Sequence, residues 1–183
     1  MTDFLAPPNA DGWTVDDLDR FPDTGVRYEL VEGDLLVAPP PFVPHARCTN
    51  ELHFLLATQA PADYKVGQGT GVTIHGRSTY LIPDILVIRA SAYDKTDYFN
   101  QDDMVLVVEV LSPSNRGRDL VLKRHHYATG GIRWYWIADP GARTLAVLEL
   151  DGDAYRESTV VPAGTKWTTE QPFPLTLDPA DFL

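Results

Sequence analysis

The stretch Val105-Leu106-Val107-Val108-Glu109-Val110-Leu111 decides how this chain folds, because it is an almost unbroken apolar run of strand length with one acid inside it. Such a run is expected where a strand is covered on both faces, which places it in the interior of a sheet. Upstream, Asp84-Ile85-Leu86-Val87-Ile88 is a second apolar run, opened by an acid, and it too reads as an inner strand. Downstream, the loop Ser112-Pro113-Ser114-Asn115-Arg116-Gly117 offers several capping side chains before a helix from Arg118 of about three turns. Gly130-Gly131 ends that helix, and Trp134-Tyr135-Trp136-Ile137-Ala138 forms a third strand. Strand, helix and strand in succession imply a right-handed crossover.

Glu109 is the residue that packing explains least. A charge in the middle of an apolar strand is costly unless it is paired or bound to a metal ion. An ion pair with Arg118, Lys123 or Arg133 would satisfy it as well as a metal would. Asp84 also has a plain reading, since a Pro-Asp pair often begins a strand or caps a turn. Lys123 stands four residues after Asp119 and four before Tyr127, so the three share one helix face. Leu120, Val121 and Leu122 lie in the same segment, and periodicity leaves open whether the lysine face meets water or the core.

Outside this block, Thr14 to Arg20 reads as a short helix that Thr14 caps and to which Asp17 reaches back, within an N-terminal arm over residues 1–25. Tyr28 to Ala38 reads as a hairpin around Glu32-Gly33-Asp34, stopped by Pro39-Pro40-Pro41. From Pro44, the residues Cys48, Leu52, Leu55 and Leu56 recur at helical spacing as far as Gln59. Tyr64 to Gly67 and Gly71 to His75 read as strands, and Leu145 to Leu150 pairs with Ala154 to Val161 around Asp151-Gly152-Asp153. A proline-rich tail closes the chain. Trp134 and Trp136 alternate with Tyr135, which puts both indoles on one face, for core packing or a dimer contact.

The 183 residues are expected to form one domain, and 44% hydrophobic with 22% charged residues is an ordinary globular composition. No run is long enough to cross a bilayer and no basic segment leads into an apolar one near Met1, so a cytoplasmic protein is expected. A single cysteine, Cys48, excludes an internal disulfide and fits that compartment. Fifteen Lys and Arg against 26 Asp and Glu leave a formal charge of −11, which opposes non-specific association with a polyanion. His125-His126 has no second Cys or His cluster at zinc spacing, and no Gly-rich phosphate loop occurs.

Taken together, Pro83-Asp84, then Val108 to Asn115 with Glu109, then Asp119-Leu120 with Lys123 and Tyr127, then Gly131, Tyr135-Trp136-Ile137 and Asp139-Pro140 closely resemble the Uma-two family of putative restriction endonucleases. Weaker similarity lies upstream, in Tyr28-Glu29-Leu30, Gly33 and His45. That family belongs to the PD-(D/E)XK nuclease superfamily. The resemblance implies an α/β, restriction-endonuclease-like core, a central mixed sheet flanked by helices, to which the hairpins read above near the two termini are additional. It implies a metal-dependent endonuclease hydrolysing the phosphodiester bonds of DNA, with Mg²⁺ or Mn²⁺ held by Asp84, Glu109 and the backbone carbonyl of Val110. The superfamily's lysine usually stands two residues after the second acid, where this chain has Leu111, so Lys123 is the position that matches. Glu29, His45 and Tyr127 are possible accessories; Glu29 can equally be a surface hairpin charge, and His45 a capping or packing residue. Arg116 and Arg118 are candidates for flanking phosphates, and a homodimer would suit two-strand cleavage. Because of the acidic charge and Leu111, a catalytically inactive nuclease-fold binding module stays open as an alternative, as does a nuclease acting on RNA.

Overall fold

The computed structural model describes residues 7, 10–21, 25–38, 40–113 and 116–183, without the side chain of Arg118. The chain opens with a single turn α1 (Val15–Leu18), whose Asp17 Oδ2 accepts both the backbone N–H (3.0 Å) and the hydroxyl (2.8 Å) of Thr14. Of the expected N-terminal arm, residues 1–6, 8, 9 and 22–24 lie outside the described residues. Strands β1 (Arg27–Val31) and β2 (Asp34–Ala38) form the expected hairpin, and its two-residue turn has φ of +52° at Glu32 and +88° at Gly33. A side chain at Gly33 would also meet the Asp11 carbonyl at 2.7 Å, so this turn requires glycine for space as well as for conformation.

Helix α2 (Val43–Gln59) follows, with Pro44 in its first turn, then β3 (Tyr64–Gln68), β4 (Val72–Thr73), β5 (Tyr80–Leu81), β6 (Ile85–Arg89) and β7 (Phe99–Asn100). The central strand is β8 (Met104–Val110). After it comes a helix whose first part, Arg118–Lys123, is π-helical and whose second part is α3 (Arg124–Thr129). The chain continues through β9 (Trp134–Asp139), β10 (Thr144–Asp151) and β11 (Ala154–Pro162). The tail, with no strand expected, forms a small hairpin of β12 (Trp167–Thr169) and β13 (Leu175–Leu177).

A six-stranded sheet has the order β11-β10-β9-β8-β6-β3, so both apolar runs with acids are interior strands. β8 runs parallel to β9 and antiparallel to β6, which makes the sheet mixed. A second sheet, β2-β1-β5-β4-β7, incorporates the N-terminal hairpin and is larger than the hairpin expected there.

Side chains on β8 alternate between two cores, as strand geometry requires. Leu106, Val108 and Val110 pack with Cys48, Leu52 and Leu56 of α2, together with Phe173 and Leu175 from the tail. Val107 and Leu111 join Tyr127 and Ala128 of α3 and Val72 and Leu81 of the second sheet. Each fully buried aliphatic side chain contributes about 1.5–3 kcal/mol. Trp134 and Trp136 both face the α2 core and are buried there, so they pack rather than dock. Glu109 lies in the other row, between Val107 and Leu111, and is therefore aimed at α3. Among the described residues no helix is long and apolar enough to cross a membrane.

Candidate active site

The site forms where β6 begins and β8 ends. The pair Ile85↔Val108, carried one step, sets Asp84 opposite Glu109. There the Asp84 carboxylate takes over the hydrogen bonding of the ladder, and Oδ2 accepts the Val110 N–H at 2.8 Å. In a strand the N–H and C=O of a residue point to the same side, so the Val110 carbonyl faces the same region. His45, in the first turn of α2, places Nε2 at 3.1 Å from Asp84 Oδ2. An ionised carboxylate only accepts, so that ring nitrogen carries the proton. Arg27 on β1 approaches Asp84 Oδ1 at 3.4 Å.

Glu109 is served from α3 and the π turn. Lys123 Nζ donates to Glu109 Oε1 at 3.0 Å, and the Tyr127 hydroxyl donates to the same oxygen at 2.9 Å. Lys123 also donates to the Ile82 carbonyl at 3.0 Å and lies 2.9 Å from Glu29 Oε1. Its three ammonium protons thus have three acceptors. Glu29 in turn accepts the Ile82 N–H at 2.8 Å, and Asp119 Oδ1 lies 4.0 Å from the amine. The helix-face question left open by periodicity is answered by exposure: Asp119 is 1% and Lys123 5% exposed, while Val121 is 71% exposed. The polar face points inward. Single π turns recur at functional sites, and this one carries Asp119 and Lys123.

Glu29, Asp84, Glu109, Asp119, Lys123, His45 and Arg27 all line one cavity of about 110 Å³. Its four carboxylates face two permanent cations, a formal excess of two negative charges apart from His45. Burial, opposed by Lys123 and assisted by the charges of Asp119, Asp84 and Glu29, pushes the Glu109 carboxyl well above its ordinary value. Burial also works against Asp84, but the hydrogen bond and charge of His45, the Val110 N–H and Lys123 outweigh it and hold that carboxyl low. For Lys123 burial pulls downward, and the carboxylates of Glu109, Glu29 and Asp119 prevail, so the amine stays charged.

This donor set fits a small hard cation. Mg²⁺ takes oxygen ligands, needs only one or two carboxylates and keeps several waters. Asp84 and Glu109, on adjacent strands and lining one cavity, are the carboxylates that would hold such an ion. Among the described residues, no group of three or more His, Cys, Asp or Glu side chains forms a ready-made metal cage.

Of the positions singled out in the sequence, Asp84, Glu109, Lys123, Glu29, His45 and Tyr127 come together. Glu29 is 3% exposed, so it is no surface hairpin charge. Arg116 is elsewhere: its guanidinium is held by Asp139 Oδ2 at 2.8 Å and it does not line the cavity. The side chain of Arg118 lies outside the described residues, as do Ser114 and Asn115. Arg27 was not anticipated. Its signal was present, because Arg27 stands two residues before Glu29 on one strand and must share its face.

The Uma2 family model, described as a putative restriction endonuclease, matches residues 15–180, and the chain belongs to that family. A solved structure described as a putative nuclease belonging to DUF820, from Anabaena variabilis, superposes with a TM-score of 0.71 at 19% identity, over 93% of this chain and 97% of that one. The fold is accordingly the restriction-endonuclease-like α/β fold. No curated protein matches in sequence.

Proposed function

We propose that this member of the Uma2 family is a metal-dependent endonuclease that hydrolyses phosphodiester bonds of DNA. The observation that carries the reading is the buried contact of Lys123 Nζ with Glu109 Oε1, 3.0 Å, in a cavity that Asp84 also lines. A structural ion pair would account for Glu109 and Lys123 by themselves; it does not account for Asp84, Glu29 and Asp119 lining the same cavity, four acids against Lys123 and Arg27. The names of the family and of the Anabaena protein point the same way.

In this reading Asp84, Glu109 and the Val110 carbonyl hold Mg²⁺ or Mn²⁺. When bound, a divalent ion supplies polarisation of the scissile phosphate and a lower pKa for attacking water. Lys123 stands where its charge offsets the negative charge that develops on the phosphate, in a site from which bulk water is largely excluded. Tyr127 and Glu29 fix the Lys123–Glu109 geometry, and His45 orients Asp84. The accessory residues act by positioning, since each touches a carboxylate or the amine.

Cleavage of supercoiled DNA in Mg²⁺ or Mn²⁺ by the wild type and by Glu109→Ala tests this. Nicking by the wild type and loss of it in the variant is the expected result; equal activity removes Glu109 from the mechanism. A second reading, a nuclease-fold module without catalysis, is favoured by the saturation of Lys123 and by the charge of −11. It requires that neither protein nicks DNA, and a parallel assay on an RNA strand separates it from an RNA-directed enzyme.

A further inference from the structure

Phe42 is 74% exposed and Val43, the first residue of α2, is 81% exposed, whereas among the described aromatic residues only Phe42, Phe54 and Tyr93 are mostly exposed. Phe42 lines the same cavity as Asp84, Glu109 and Lys123, together with Pro40 and Pro41. Prolines on both sides, Pro41 and Pro44, restrict the backbone that presents the ring. The Phe42 carbonyl accepts the Ala46 N–H at 3.0 Å, the first bond of the helix, and His45 in that same turn is tied to Asp84 at 3.1 Å. One helical turn therefore joins the backbone of Phe42 to the histidine that meets Asp84. The ring is thus exposed and apolar beside an acidic cavity, where it contributes little to the packing of the core.

The protein's charge says what kind of contact is needed there. Surface cations are widely engaged by the chain's own acids: Arg77 by Asp16, Lys95 by Asp103 at 2.6 Å, Arg116 by Asp139 at 2.8 Å and Arg133 by Glu149 at 2.9 Å. With a net charge of −11, phosphate neutralisation is a weak source of affinity for a nucleic acid. Stacking on an aromatic face is the other general source; it needs no cation, and it requires a base whose face is not already covered.

We infer that Phe42 is the base-stacking platform of this site, so that the preferred substrate presents an unpaired base beside the phosphate that enters the cavity. The inference rests on the phosphodiesterase reading above and narrows it to single-stranded, gapped or flapped nucleic acid.

The test is fluorescence anisotropy of a labelled oligo-dT strand, and of its duplex with oligo-dA, against the full chain in Ca²⁺ buffer, with strand length checked on a gel. The strand should bind more tightly than the duplex. Phe42→Ala should weaken strand binding by roughly 5- to 150-fold, the range expected for one stacked base, and Phe42→Trp should restore it. Because few phosphates are neutralised, the salt dependence should be shallow. Equal affinity for strand and duplex, binding of neither, or a Phe42→Ala variant that binds like the wild type overturns the inference. So does sedimentation showing that Phe42→Ala abolishes self-association and leaves strand binding intact. The ring is largely exposed, so the variant is expected to fold. If Glu109→Ala loses cleavage but Phe42→Ala changes no affinity, stacking alone fails; if neither the wild type nor Glu109→Ala cleaves any strand, the nuclease reading fails.

Discussion

The two faces of β8 use the same strand for opposite ends. Toward α2, Leu106, Val108 and Val110 join an apolar cluster, and the tail folds back to complete that layer. Toward α3, the row Val107, Glu109, Leu111 carries a carboxylate in its middle, and Lys123, Tyr127, Glu29 and Ile82 are arranged around that one group and its cation. One face supplies stability; the other spends it on a charged cluster that an apolar substitute could fill more cheaply. A strand buried on both sides can thus carry reactive groups without exposing an edge, provided that every charge it buries has a partner.

The largest expected effect is on the charged face. Lys123→Ala leaves Glu109 and Glu29 buried without their common cation and should cost about 3–5 kcal/mol in urea unfolding. Leu106→Ala on the opposite face removes packing only and should cost about 2–5 kcal/mol. Binding of Mn²⁺ separates the two more sharply, since only Lys123→Ala alters the charge of the cavity. A loss below about 1 kcal/mol for Lys123→Ala would mean that the cluster relaxes to admit water and that the contrast between faces is overstated.

A smaller effect concerns Asp139 at the end of β9. Burial works against its charge, but the Ala142 N–H and Arg116 prevail and hold its carboxyl below the ordinary 3.8. A depressed folded pKa means that the unfolded chain binds the proton first, so the contribution is present above about 3.8 and lost as pH falls through the lower folded value. Asp139→Asn should therefore lose up to about 1 kcal/mol at neutral pH, because Arg116 is half-exposed, and the deficit should close in acid. A deficit that persists at low pH would place the effect in packing. Smallest of all, Val121→Ser, two residues from Lys123 but outward-facing, should stay within about 0.5 kcal/mol of the wild type.

Much of this contrast was legible in the sequence. The apolar period of β8 and β6, the Glu32-Gly33 turn and the spacing of Cys48, Leu52 and Leu56 are local signals, and each produced its element. Glu109 was legible because nothing apolar explains an acid there. The inward turn of Lys123 was not, since Leu120, Val121 and Leu122 stand beside it and only the packed sheet decides which side is covered. Arg27 and the burial of Glu29 depend on β1 pairing with β5 through Leu30↔Tyr80, a non-local contact made by a two-residue strand without periodicity. The tail hairpin was masked by its prolines, although Phe173, Leu175, Leu177 and Phe182 belong to the core.

The central claim is that Asp84 and Glu109 are two ligands of one cation beside Lys123. Calorimetric titration of Mn²⁺ into the wild type and into Asp84→Ala and Glu109→Ala tests it most directly. The account predicts saturable binding in the wild type that both substitutions abolish or weaken by at least tenfold, about 1.4 kcal/mol. Undiminished binding in either variant, or none in the wild type, would contradict it.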